Sequence, residues 1–176
     1  MSNASSLNPG IKWGVIAGVI AVLVNIIFWQ SDRELFFSFV LGLVIAVVFV
    51  LFSVLAGLEM KRRLKGEIEF KQALKPVFLT FVIGGLFATG CTYVFYNYVD
   101  PTIYEQARKY ALITTDRLAH SFGLPQDQID EQMDGIKELD FYMGPGKAIL
   151  TYFSLLIRYF VLAAIVAVCI RKKPTV

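Results

Sequence analysis

Four long apolar runs, separated by short polar breaks and one long polar stretch, organise the chain. The first, residues 11–29, holds 19 residues; as an α-helix it is ~28 Å long, close to the ~30 Å hydrocarbon thickness of a bilayer. Trp13 and Trp29 mark its ends, where aromatic rings favour the membrane–water boundary. Lys12, at the start of the run, is the only charge at its N-terminal side, Asn25, Phe28 and Trp29 occupy its end, and another apolar run follows at once, so it reads as a retained span rather than a signal peptide. Ser31 and Glu34 fit an S-x-x-E capping box and predict the start of a second helix there. Residues 35–60 would make ~39 Å of helix, which predicts a tilt or a projection beyond the hydrocarbon near Glu59. Pro76 stands at the entry to the third run, residues 77–98, and Gly144-Pro145-Gly146-Lys147 forms a turn before the fourth, residues 148–170.

Residues 99–147 are too polar for lipid and too patterned for a disordered tether. Asp100, with Pro101 at the first helical position, can cap a helix, or Thr102 and Glu105 can form a capping box one step later. Ile103, Ala107, Tyr110, Ala111, Thr114, Leu118 and Phe122 recur at helical spacing, and Gly123 supplies the stop. That apolar stripe needs a cover, either a second helix over residues 125–139 or the membrane–water boundary itself. The pattern therefore predicts an all-α integral membrane protein: one membrane domain over residues 1–176, four transmembrane helices, and a small helical extracytoplasmic subdomain at 99–147 between the third and fourth.

Composition agrees. Hydrophobic residues make up 56% of the 176, charged residues 18%, and the mean hydropathy is +0.61, a balance that excludes disorder and is foreign to an ordinary soluble domain. The net charge of +3 is too small for nucleic-acid binding unless the charges are segregated, and here they segregate by membrane side. With the connector between the second and third runs and the basic tail on one side, that side gathers ten Lys and Arg against three acids, and the other six against eleven. The positive-inside rule makes the basic side cytoplasmic, with both termini there.

Few residues are out of place in lipid. Arg158 stands ten residues into the fourth run, near the bilayer midplane. An arginine at that depth costs about 2.5 to 3.5 kcal/mol on insertion scales and should face the bundle interior, water or a counter-charge. No other run offers a central carboxylate, leaving hydroxyls such as Thr89 or Tyr159, backbone carbonyls, a lipid phosphate drawn inward, or an acid of another subunit. Arg158 is thus either a structural interhelical hub or a site for lipid, solute or partner. Gly14 and Gly18, and on the third run Gly84 and Ala88, make small faces that serve close packing within one bundle or a homodimer contact. Lys61, Arg62, Arg63 and Lys65 form the core of a basic connector suited to anionic inner-leaflet lipids or an acidic cytosolic partner.

Motifs for chemistry are lacking. Asp130, Gln132, Asp134 and Gly135 copy half a calcium loop, but Phe141 replaces the bidentate Glu. The Gly146-Lys147 pair lacks the earlier glycine and the following Ser or Thr of a phosphate-binding loop. His120 has Asp116 one turn before it but no nucleophile or metal-ligand set nearby. Cys91 and Cys169 fall at opposite depths, beyond disulfide reach. No cofactor, no metal site and no enzymatic activity are expected.

Gly66-Glu67-Ile68-Glu69-Phe70, then Ala73 and Lys75, and Asp100-Pro101 with Glu105 after the third run, make the chain similar to a bacterial family of small four-span membrane proteins, the domain of unknown function numbered 4199. The likeness covers nearly the whole chain. It implies an integral protein of the inner membrane and brings no activity with it. The functional expectation is an accessory or scaffold protein that acts through helix packing, as a homo-oligomer or with a membrane protein partner. The alternative is a small carrier or lipid-handling protein that binds an anionic group near Arg158.

Overall fold

In the structure, a computed structural model describing residues 7–100 and 102–172, the chain is all-helical, with four helices long and apolar enough to cross a membrane. These are α1 (Pro9–Ser31), α3 (Phe39–Arg63), α4 (Phe70–Val94), which a π-helical turn (Phe95–Val99) extends, and α7 (Pro145–Ile170). A short α2 (Arg33–Phe37) precedes α3, and α5 (Ile103–Ser121) and α6 (Gln126–Glu138) lie in sequence between the third and fourth spans. Pro101, expected at the first position of a helix, and Lys173, the last cation of the basic tail, lie outside the described residues.

α1, α4 and α7 are longer than their apolar runs, because polar residues continue those helices beyond the hydropathy; α3, of 25 residues, instead starts four residues into the run 35–60 and ends three beyond it. α4 begins at Phe70, so Pro76 is its seventh residue rather than its entry. Only the first four amides of a helix lack an intrahelical acceptor, so Pro76 stands inside α4 and forgoes the bond to the Gln72 carbonyl that another residue would make there. The second span opens differently from the capping-box expectation. Ser31 ends α1, and Asp32 caps α2 by accepting from the Glu34 amide at 2.8 Å. Ser38, extended, then separates α2 from α3. Phe36 is buried edge-on against Trp29, which also lies beneath the Arg33 guanidinium, so the polar break folds back as one amphipathic turn.

The chain divides into two compact units, one of Met1–Cys91 with Gly146–Val176 and one of Thr92–Pro145. In the first, the core is a cluster of rings: Phe49 of α3, Phe81 of α4 and Tyr159 of α7 lie with centroids 5.3–6.3 Å apart. Glycines admit these rings. A Cβ at Gly84 would meet the Phe49 ring at 2.9 Å, and one at Gly85 the Tyr159 ring at 2.8 Å. Several polar groups inside the spans bond to their own or neighbouring backbone, as lipid favours: Asn25 Nδ2 donates to Ala21 O, Thr80 Oγ1 to Pro76 O and Tyr152 OH to Val82 O.

In the second unit, α5 opens later than an Asp100 cap would place it: Thr102 is the N-cap residue, without a side-chain cap bond, and Asp100 holds it from before, its Oδ1 accepting from the amide and the hydroxyl of Thr102. α5 packs on α6, which supplies the cover the stripe required. Ile103, Ala107 and Ala119 of α5 and Ile129 of α6 are buried, whereas the last two stripe residues, Leu118 and Phe122, are exposed. Gly123 leaves the helix at φ +66°.

Candidate functional site

Apart from Asp32, Arg33 and Glu34 at the link between α1 and α3 and Lys147 at the start of α7, charge in the membrane unit falls in two places: one end of the bundle and the middle of α7. The basic end is built mainly from the residues that follow α3. Glu59, one turn before the end of α3, gathers three donors: Lys12 Nζ at 3.1 Å, Trp13 Nε1 at 2.7 Å and Arg63 at 2.7 Å. Lys12 and Trp13 belong to α1, so this carboxylate joins the ends of the first two spans. Lys61 reaches to α7 and donates to the Ile170 carbonyl at 2.9 Å, satisfying one of the acceptors that a helix C-terminus leaves unpaired.

Beyond α3 the chain turns through Lys65 (φ +58°) and Gly66 (φ +97°), which places Ile68 against the segment after α7. Ile68 and Lys172 exchange two backbone hydrogen bonds as a single antiparallel bridge, and the Ile68 side chain is fully buried. Ala73, one turn into α4, is buried as well. Most of the short motif from Gly66 to Ala73 therefore has a structural account: a left-handed turn, a clasp on the tail and a buried contact at the start of α4.

Of the four basic connector residues, the structure gives Lys61 and Arg63 partners inside the chain, while Arg62 and Lys65 are exposed. The same end exposes Lys71, Lys75, Arg171 and Lys172, with Glu67 and Glu69 as its exposed acids. Cations thus remain in excess there after the ion pairs are formed.

The small faces lie within the bundle. α1 turns Gly10, Gly14 and Gly18 onto α4: an added Cβ would come within 2.6 Å of Pro76 O, 2.9 Å of Ile83 Cβ and 2.7 Å of the Phe87 ring, respectively. Gly84 faces Phe49 of α3, and Ala88, partly buried, packs against the hydrophobic core.

Arg158 is different. It stands 13 residues after the start of α7 and 12 before its end, whereas every other charged residue in the four spans lies within five residues of a helix end. The guanidinium does not turn inward. Arg158 is exposed, on the side of α7 that carries Phe153, Ser154, Ile157 and Val161, while Tyr159, Ala163 and Val166 face the core. It makes no hydrogen bond or ion pair among the described residues. Thr89, one of the expected hydroxyl partners, has its Oγ1 buried and unbonded, and Tyr159 stacks on Phe81 instead. Among the described residues, neither expected hydroxyl is bonded to Arg158.

The second unit holds an aromatic cluster that sequence reasoning missed. The π turn and α5 bring together Tyr93 with Tyr98, Tyr96 with Tyr104, and Tyr104 with Tyr142 at centroid distances of 5.6–6.3 Å. Asn97 sits among them, donating to Tyr93 O and Met143 O and accepting from Tyr104 OH at 3.4 Å. Loss of solvent, then neighbouring Tyr142, pushes the Tyr104 phenol above its ordinary range. The signal in the sequence was the density of tyrosines on both sides of Asp100. His120 and Asp116 form an exposed pair at 3.5 Å, and among the described residues no group of three or more His, Cys, Asp or Glu could hold a metal ion. Cys91 and Cys169 are free thiols.

Comparison with known proteins gives one match: the family model described as protein of unknown function (DUF4199) aligns with residues 12–172. No curated protein and no solved structure matches the chain significantly.

Proposed function

The chain belongs to the DUF4199 family, a multi-pass membrane family without an assigned activity, and from that premise we propose that this protein is an accessory or scaffold subunit of the bacterial inner membrane. One observation carries the reading: the single charged residue at mid-span faces out of its own bundle. A lone guanidinium against acyl chains costs about 2.5 to 3.5 kcal/mol. Among the described residues its own chain supplies no hydrogen bond or ion pair to offset that cost, which supports compensation by another molecule. The glycine faces, by contrast, are already occupied by this chain's own side chains, and homo-oligomerisation does not depend on them.

The basic end lies in the cytoplasm in this reading, with both termini, and its unpaired Arg62, Lys65, Lys71 and Lys75 rest on anionic head groups, each worth ~1 kcal/mol near the surface. Native mass spectrometry of the protein extracted from its own membrane in a gentle detergent tests the proposal. A stoichiometric protein adduct, lost in Arg158→Leu while the protein remains folded, is the expected result. A wild-type protein that flies only as an unpartnered monomer in several detergents would rule out the subunit reading. A retained anionic lipid or solute, lost with Arg158→Leu, would replace it with a carrier or lipid-handling role.

A further inference from the structure

Resting on the subunit reading, we infer that the outward face of α7 around Arg158 binds a transmembrane helix of a different protein, one that carries an Asp or Glu near the middle of the bilayer. The choice follows from depth and charge. Arg158 lies within one residue of the centre of a 26-residue helix, so lipid phosphates stand about half a hydrocarbon thickness, ~15 Å, away on either side. A head group would have to be drawn through most of a leaflet to meet it.

A second copy of this chain cannot supply the counter-charge. Copies inserted in the same orientation stand at the same depth, and a two-fold contact through this face would set Arg158 against Arg158. The only acid within any of the four spans is Glu59, one turn from the end of α3, and it is already engaged by Lys12, Trp13 and Arg63. The missing carboxylate therefore belongs to another chain.

The surroundings suit a helix rather than a loop. Ser154, one turn before Arg158 and exposed with it, is small enough for close backbone approach and offers a hydroxyl. Leu150, Phe153, Ile157 and Val161 flank the two polar groups with 56–72% of their surface exposed. The exposed large side chains of α1 and α3, such as Val19, Leu23, Val47 and Leu51, are apolar throughout their middle turns. Arg158 thus distinguishes one face of the bundle from the others, which is what selection of a specific partner needs.

The test places a photo-reactive residue in the full-length protein in its native membrane, as Ile157→benzoylphenylalanine and separately Val161→benzoylphenylalanine, and identifies the cross-linked peptide. The expected adduct is a transmembrane peptide of another protein with an Asp or Glu within one helical turn of the cross-link. Its yield should fall about tenfold or more with Arg158→Leu and recover in part with Arg158→Lys, because truncating one member of a desolvated charge pair weakens a complex by at least that factor. Cross-links to a second copy, or to a partner helix without an acid at that depth, would overturn this inference and leave the subunit reading standing. Adducts to lipid alone from both positions would overturn both.

Discussion

Gly84 and Gly90 lie six residues apart on the same helix and differ in what faces them. An added methyl at Gly84 would enter the Phe49 ring, 2.9–3.3 Å away, whereas at Gly90 it would meet nothing within 4 Å. The intrinsic gain of alanine over glycine in a helix, ~1 kcal/mol, is the same at both sites. At Gly84 it is opposed by displacement of a fully buried ring, and overpacking of that kind typically costs 1–3 kcal/mol. Gly84→Ala should therefore be destabilised or at best unchanged, and Gly90→Ala stabilised, when both are unfolded in mixed micelles with added denaturing detergent. Equal behaviour of the two variants would contradict the ring cluster as the centre of the core. The glycines at 14, 18 and 84 were legible as small faces in the sequence. What they face was not, because a glycine that admits another helix's backbone and one that admits an aromatic ring leave the same pattern. Arg158 was legible as an anomaly for its depth alone. In a helix that is apolar on its lipid side and its core side alike, hydropathy carries no phase, and the direction of a lone charge cannot be read from it.

Among the elements, the link between α3 and α4 is where the sequence motif and the geometry meet. Its length is set by a turn through two residues with positive φ, and only one of them is glycine. A left-handed conformation costs a residue with a side chain about 1–2 kcal/mol. Gly66→Ala should therefore lose roughly that amount of stability, while Lys65→Gly should gain part of it, less the entropy that a glycine adds to the unfolded chain. The Ile68–Lys172 bridge gives the test a local readout: amide hydrogen exchange at Ile68 and Lys172 should quicken in Gly66→Ala before the transmembrane amides change. Exchange that is unaltered at both amides would mean that the turn does not hold the clasp. The four spans were readable from run length, since ~20 apolar residues have few other uses. Their ends were not. Phe70 to Lys75 are helical without being apolar, and Asp32 displaced Ser31 as a cap because the break folds into its own short helix. The π turn with its tyrosines left no periodic signature to find.

For the whole molecule, orientation is decided by charge. The basic end holds Lys12, the connector and the residues after α7, and three acids temper it: Glu59, already neutralised by two cations, and the exposed Glu67 and Glu69. In the topology expected from the four apolar runs, the link between α1 and α2 and the segment between the third and fourth runs share the other side; α6 of that segment is acidic, with Asp127, Asp130, Glu131, Asp134 and Glu138 against Lys137. Lysine and arginine are retained on the cytoplasmic side during insertion, whereas acids contribute little, so the cation count outweighs the net charge as the argument. Labelling tests it directly, in a background with Cys91 and Cys169 replaced by alanine. A membrane-impermeant maleimide should modify Asp127→Cys in intact cells, and Lys65→Cys only after permeabilisation. Both positions are exposed, so a failure to react reports the membrane and not burial. The reversed pattern would move the basic end outside, away from the anionic inner leaflet, and would remove the head-group role proposed for Arg62 and Lys65. It would leave the case for a partner at Arg158 untouched, because a residue at the middle of its span stands at the same depth whichever end faces the cytoplasm.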